Sequence, residues 1–234
     1  EKIPVTIIGG GVIGCAIANE LALTMSGVFL FEKNLYLGDE QSGRNSGVIH
    51  AGIYYDKEPL KSSLCVEGKK LLYEFCVSHD VPIVKTGKII VACDDKEDIR
   101  VDKYVVNAVQ RGLSGIKKIT GDEVSRLEPN VHAVSALYSP GTGIFDVPAY
   151  LAALAKSASS RGAEILKETK VAAVRPSGDS FVVDVEYGRG GTETFETDIV
   201  INAAGLYSDE IANMINPDNK YEILPLRGEY YRFN

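Results

Sequence analysis

An α/β fold organised around a Rossmann-like dinucleotide site is what this chain predicts, and three observations predict it. Val5-Thr-Ile-Ile8 is an apolar strand that runs straight into Gly9, Gly11 and Gly14, spaced GxGxxG, with a helical pattern after them. A second apolar strand, Val28-Phe-Leu-Phe31, ends in Glu32, which places an acid about 20 residues beyond the glycines, where a ribose hydroxyl needs an acceptor. Residues 82–142 then carry strands and helices of their own, read as most of an inserted, mixed-sheet α+β domain.

Each part of the first motif has a physical task. Gly9 lets the strand turn sharply, Gly11 lacks the Cβ that would hold a pyrophosphate off the backbone, and Gly14 lets the helix approach the sheet. The helix N-terminus supplies unpaired N–H groups and a positive dipole end to the phosphates. Ile13, Ile17, Leu21 and Ala22 are expected on its apolar face.

A polar, glycine-rich stretch follows at 38–47, then Val48-Ile-His-Ala-Gly-Ile-Tyr-Tyr55. A long helix is expected to start near Lys57 to Pro59, burying Leu60, Leu64, Leu71, Leu72 and Phe75. Residues 87–93 read as a strand, and 95–113 as an amphipathic helix with Tyr104, Val105, Ala108 and Val109 facing inward. Thr120 with Glu123 three residues later has the form of a capping box. A helix over 147–161, strands over 164–174 and 181–187, a buried strand from Asp198 ending at Gly205, and a helix through Met214 complete the pattern. The last ten residues, 225–234, alternate like a strand and stop without a terminating element, which suggests that a C-terminal part is missing. The expected division is a discontinuous dinucleotide domain of 1–81 and 143–216, with 82–142 and 217–234 forming an incomplete substrate domain.

Composition narrows the function. At 234 residues with 45% apolar and 24% charged residues the chain is an ordinary globular protein able to bury a sizeable core. A net charge of −7, with basic residues clustered only as the pairs Lys69-Lys70 and Lys117-Lys118, argues against a nucleic-acid partner. No apolar run reaches the roughly 20 residues that span a bilayer, and a peripheral membrane contact at the inner face is left open. Cys15, Cys65, Cys76 and Cys93 form no CxxC, so buried, reduced thiols in a cytoplasmic-type compartment are expected. With only His50, His79 and His132 and no HExxH, no metal site is expected, and His79 and His132 read as solvent-facing.

Four pieces, IIGGGVIGCAIANEL at the start, SGRNSGVIHAGIYY at 42–55, INAAGLYSD at 201–209 and PLRGEYYRF at 225–233, carry a resemblance. In this order the chain resembles the FAD-dependent oxidoreductases of the D-amino-acid-oxidase type, most narrowly the L-2-hydroxyglutarate dehydrogenase/oxidase family. The first and third pieces are shared by many flavoenzymes, whereas NSGVIHAGIYY and RGEYY are much narrower. The resemblance implies a Rossmann-like FAD-binding domain of the glutathione-reductase type, and a chain that in the family continues well past residue 234.

It also implies a site. FAD would lie extended, held by Gly9, Gly11, Val12, Ile13 and Gly14, by Glu32 and Lys33, and by Ser42, Arg44, Asn45 and Ser46 donating to pyrophosphate and ribityl oxygens. Val171 resembles the backbone contact to adenine, and Ala203, Ala204 and Gly205 the small-residue turn beside the cofactor. Oxidising a 2-hydroxy acid needs a base for the hydroxyl proton, and His50 is the candidate, either as that base or as a donor holding flavin or substrate. Arg227 could grip a substrate carboxylate with Tyr230 and Tyr54 as hydroxyl donors, or pair with Glu229 while the tyrosines pack in a core. L-2-hydroxyglutarate is the substrate implied most strongly. Glycerol 3-phosphate, an amino acid, or a non-catalytic FAD-binding subunit needing a partner chain are the alternatives, and oxygen, a quinone or an electron-transfer protein would each serve as electron acceptor.

Overall fold

The computed structural model describes residues 2–53, 59–216, 218 and 220–229. In chain order the first elements are β1 (Lys2–Ile8), α1 (Val12–Leu21), β2 (Val28–Phe31), β3 (Val48–Ile49), α2 (Pro59–Ser78), β4 (Ile83–Val84), β5 (Lys88–Ala92), α3 (Asp95–Gln110) and β6 (Lys117–Thr120). They are followed by α4 (Gly121–Leu127), β7 (Ser135–Ser139), β8 (Gly143–Phe145), α5 (Val147–Ser160), β9 (Glu164–Leu166), β10 (Thr169–Ser177), β11 (Ser180–Tyr187), β12 (Thr192–Asn202) and α6 (Ser208–Ile215). Two units emerge: Glu1–Asn45 with Leu151–Asn234, and Ser46–Tyr150.

In the first unit one six-stranded sheet has the order β10-β11-β12-β1-β2-β9. β12, β1, β2 and β9 run parallel, while β10 and β11 extend the sheet antiparallel. Val5, Thr6 and Ile7 of β1 are completely buried, as expected for a parallel strand covered on both faces. α1 buries Gly14, Cys15 and Ala18. Of the four residues expected on its apolar face only Ala22 is fully buried, and Ile13 is 62% exposed. The small residues face the sheet because a helix that close to the strands has no room for branched ones. β12 starts at Thr192 instead of Asp198, because its first half pairs antiparallel with β11 before its second half joins β1. A valine-rich layer of Val171, Val174, Val183 and Val185 packs with Phe31, Phe195 and Ile211. Residues 225–229 form no strand, contrary to the alternation in the sequence.

The second unit holds two three-stranded sheets, β5-β7-β6 and β3-β8-β4. Its extent is wider than the 82–142 read from sequence, because β3 and β4 both pair with β8 and so tie residues 48–49 and 83–84 to 143–145. Thr120 and Glu123 form the reciprocal capping box at the start of α4. α2 only partly buries the expected face: Leu60, Leu64 and Leu71 are exposed and Leu72 and Phe75 half-buried, while Ser62 and Cys76 are buried. The reason is a polar anchor. Ser62 Oγ donates to the Gly52 carbonyl at 3.2 Å, and Arg111 reaches both Gly52 O and Ser62 Oγ. On α3, Val101 and Ala108 are buried with Tyr104 and Val105 packed beside them, but Val109 is exposed. His79 and His132 are exposed. Among the described residues no helix is long and apolar enough to cross a membrane.

Candidate functional site

The carboxyl ends of β1, β2 and β12 come together in the first unit. β1 leads through α1 to β2 on one side, while β12 on its other side leads on to α6, and open α/β sheets bind ligands in the crevice outside the carboxyl ends of such strands. A cavity of about 740 Å³ lies there, within the range of small-molecule and cofactor sites.

The glycine turn forms its floor. Gly9 has φ +110°, a conformation that L side chains rarely adopt, and a Cβ there would run into the Ala203 carbonyl. A Cβ on Gly14 would overlap the Gly9 carbonyl oxygen, so the helix start and the turn are in direct backbone contact. Gly11 is roomier. Its added Cβ would meet only Ser42 Oγ, at 3.1 Å, which leaves its other side open. That same Ser42 Oγ accepts the Val12 N–H at 2.8 Å, satisfying one amide that the first turn of α1 cannot pair internally. The serine hydroxyl still has a proton to give to an anion. Asn45 in turn donates its amide to the Ser42 carbonyl and closes the loop.

Glu32 is 6% exposed and doubly engaged: Oε2 accepts the Gly10 N–H and Oε1 the Asn34 N–H, each at 2.7 Å. Each carboxylate oxygen keeps capacity for a further donor, such as a ribose hydroxyl. Cys15, beneath the turn, donates to the Gly10 carbonyl at 3.6 Å. Burial, and after it the charge of Glu32, push this thiol up to about 12, so it stays protonated and unreactive at neutral pH. The far wall comes from Thr169, Lys170, Val171 and Ala172. Here the β10–β11 register shifts between Val171 and Ala173, a bulge that bends the strand and releases backbone groups from the ladder.

The rim joins three segments. Lys33 Nζ lies 3.1 Å from Glu40 Oε1 and 3.3 Å from the centre of the Tyr207 ring, and Tyr207 OH is 3.5 Å from Glu40 Oε1. Burial works against the Lys33 charge, yet the hydrogen bonds to Tyr207 and Glu40 together outweigh it and raise the ammonium pKa. The Lys33 hydrogen bond likewise holds Glu40 below the usual carboxylate range.

Gly9, Gly11, Val12, Ile13, Glu32, Lys33, Ser42, Asn45, Val171, Ala203, Ala204 and Gly205 therefore line one cavity. Gly14 lies under its floor, and Arg44 is exposed without lining it. Ser46 and His50 belong to the second unit. His50, just after β3, is exposed over much of its surface, and its partial desolvation followed by the charge of Lys88 lowers its pKa from 6.5. Arg227 is exposed with its Nε 3.9 Å from Glu229 Oε1, and Tyr54 and Tyr230 lie outside the described residues. Sequence reasoning missed Gly10, Glu40, Ala172 and Tyr207. Tyr207 was within reach of the INAAGLYSD segment, whereas neither a bulge nor a backbone donor leaves a residue signature.

Comparison with known proteins agrees with this geometry. The family profile described as FAD dependent oxidoreductase matches residues 4–234. The chain is 39% identical, over 98% of its length, to the mitochondrial L-2-hydroxyglutarate dehydrogenase of Caenorhabditis elegans, of which it covers 53%. It is 34% identical over 97% of its length to a glycerol 3-phosphate dehydrogenase of Caloramator mitchellensis, covering 46% of that protein. Among solved structures, dithionite-reduced L-alpha-glycerophosphate oxidase from Mycoplasma pneumoniae with FAD bound superposes with a TM-score of 0.85 at 31% identity, over 92% of this chain and 57% of that one. The chain thus spans about half the length of the curated relatives it matches.

Proposed function

Because the chain belongs to the FAD dependent oxidoreductase family, we propose that it provides the FAD-binding part, and some of the substrate-binding part, of an enzyme that oxidises a small 2-hydroxy acid. L-2-hydroxyglutarate, converted to 2-oxoglutarate, is the substrate this reading favours. The observation that carries it is the 39% identity, across nearly the whole chain, to an L-2-hydroxyglutarate dehydrogenase.

The cavity suits FAD. An open-sided Gly11 admits a pyrophosphate, the start of α1 and the Ser42 hydroxyl face it, and a buried acid stands where a ribose needs an acceptor. When bound, FAD would supply the two-electron acceptor that oxidation of the substrate at Cα requires. The remaining work belongs to the chain. His50, whose lowered pKa keeps the imidazole neutral near pH 7, takes the hydroxyl proton as the C–O bond becomes a carbonyl. Arg227 binds a carboxylate through its guanidinium, exchanging its long 3.9 Å approach to Glu229 for a bidentate pair. Tyr54 and Tyr230 are assigned to donate hydroxyl hydrogen bonds to the same substrate. Four free cysteines support the reading of a reducing, cytoplasmic-type compartment.

A second reading, glycerol 3-phosphate as substrate, draws on the relatives that bear that activity in their names. Anaerobic addition of substrates to the flavin-loaded full-length protein decides between them. Bleaching of the flavin absorbance by L-2-hydroxyglutarate supports the first reading, and bleaching only by glycerol 3-phosphate or an amino acid replaces it. Bound flavin that none of these reduces would leave a non-catalytic FAD-binding subunit.

A further inference from the structure

Lys33, Glu40 and Tyr207 do more than decorate the cavity rim. Lys33 follows β2 and Tyr207 follows β12, and these strands flank β1 on opposite sides, roughly 9–10 Å apart by ordinary strand spacing. A contact between the two side chains therefore crosses the end of β1, above the Gly9–Gly11 turn. Glu40 comes from a third segment and ties both ends together, with Lys33 Nζ at 3.1 Å and Tyr207 OH at 3.5 Å. All three residues line the cavity. None belongs to the buried core: the side chains of Lys33 and Glu40 are 34% and 42% exposed, and Tyr207 is 38% exposed.

We propose that Lys33, Glu40 and Tyr207 form a clasp that closes over the dinucleotide crevice and slows release of the cofactor. The inference rests on the reading of this cavity as the FAD site. Its strength comes from two weak rim interactions, an ion pair and a cation–π contact, and rim interactions of this kind break often enough to let a ligand leave. Such a clasp governs residence more than recognition. It lies across the exit, whereas Gly11, Ser42 and Glu32 make the floor that recognises the ligand.

The test measures FAD dissociation from the full-length protein by recovery of free flavin fluorescence, in wild type and in Lys33→Met, Glu40→Gln and Tyr207→Leu. Each variant is expected to release FAD roughly three- to tenfold faster. Lys33→Met should also lose part of the acceleration by salt that the wild type shows, since the ion pair is the screened component. Glu40→Gln keeps size and shape, so it reports on the clasp even where a larger change disturbs folding. Wild-type protein that holds FAD while all three variants release it at the wild-type rate overturns the clasp and leaves the FAD reading standing. Slower release or tighter binding in the variants would mean that the cluster occupies ligand space, and overturns it too. Wild-type protein with no affinity for FAD removes both readings together.

Discussion

The Glu32 carboxylate accepts the Gly10 N–H from 22 residues away, at 2.7 Å, so the acid and the glycine turn form one hydrogen-bonded unit. With its other oxygen on the Asn34 N–H, Glu32 fixes both the turn after β1 and the chain leaving β2 before any ligand arrives. Glu32→Ala removes both acceptors and strands two amides, at a cost of about 1–3 kcal/mol. The variant should melt at lower temperature even without FAD, and its FAD affinity should fall further. Glu32→Gln should lie between, because an amide can accept at one position but presents N–H to the other donor. Thermal melts with and without FAD separate the effects, and an unchanged ligand-free melt would confine Glu32 to ligand contact.

Two glycines of the turn, Gly14 and Gly11, are predicted to fail in different ways. Gly14→Ala drives a Cβ into the Gly9 carbonyl, a backbone atom that cannot rotate aside, so loss of folded protein is expected. Gly11→Ala brings its Cβ 3.1 Å from Ser42 Oγ, the end of a small side chain that can shift by a few tenths of an ångström. It should fold with a modest loss of stability and still bind FAD poorly, since its methyl group would stand where a pyrophosphate approaches. Circular dichroism melts and flavin titration of the two variants check this order. Equal losses of stability would contradict it.

What the sequence reveals, and what it hides, follows from the range of each signal. The GxGxxG turn and the Thr120 capping box are local, set by residues within a few positions of one another, and both are found where the spacing puts them. The buried face of α2 is a tertiary matter. Its leucines at 60, 64 and 71 have helical spacing, but the Ser62 anchor to Gly52, reinforced by Arg111, turns the helix so that those leucines face out. Residues 225–229 alternate like a strand yet form none. Just before them, Asp209 Oδ2 accepts the Ile223 N–H, and the Asn213 side-chain amide pairs with both backbone groups of Tyr221, so side chains of α6 hold the chain at 221–223. The candidate site was legible where it is made of glycines and an acid. Its bulge at Ala172 and its rim at Glu40 and Tyr207 depend on pairings between distant segments, which no spacing encodes.

His50 gives a prediction in pH. Burial first, and the charge of Lys88 second, lower its pKa from 6.5. At pH 7 the imidazole is therefore neutral and able to accept a proton, and protonation removes that ability only as the pH falls below 6.5. If His50 is the base, kcat/KM should hold steady around neutrality and drop along an acid limb below 6.5. Lys88→Gln removes the second cause and leaves the first, so the limb should move upward toward 6.5 without passing it. Stability follows the same sign. A histidine whose folded pKa is depressed resists the charged form, so the folded state loses stability as the pH drops from 6.5 through the folded value, and Lys88→Gln should shrink that loss. The pH profiles of kcat/KM and of the melting temperature for wild type and Lys88→Gln provide the check. A limb that stays in place when Lys88 loses its charge would assign the titrating base to another group.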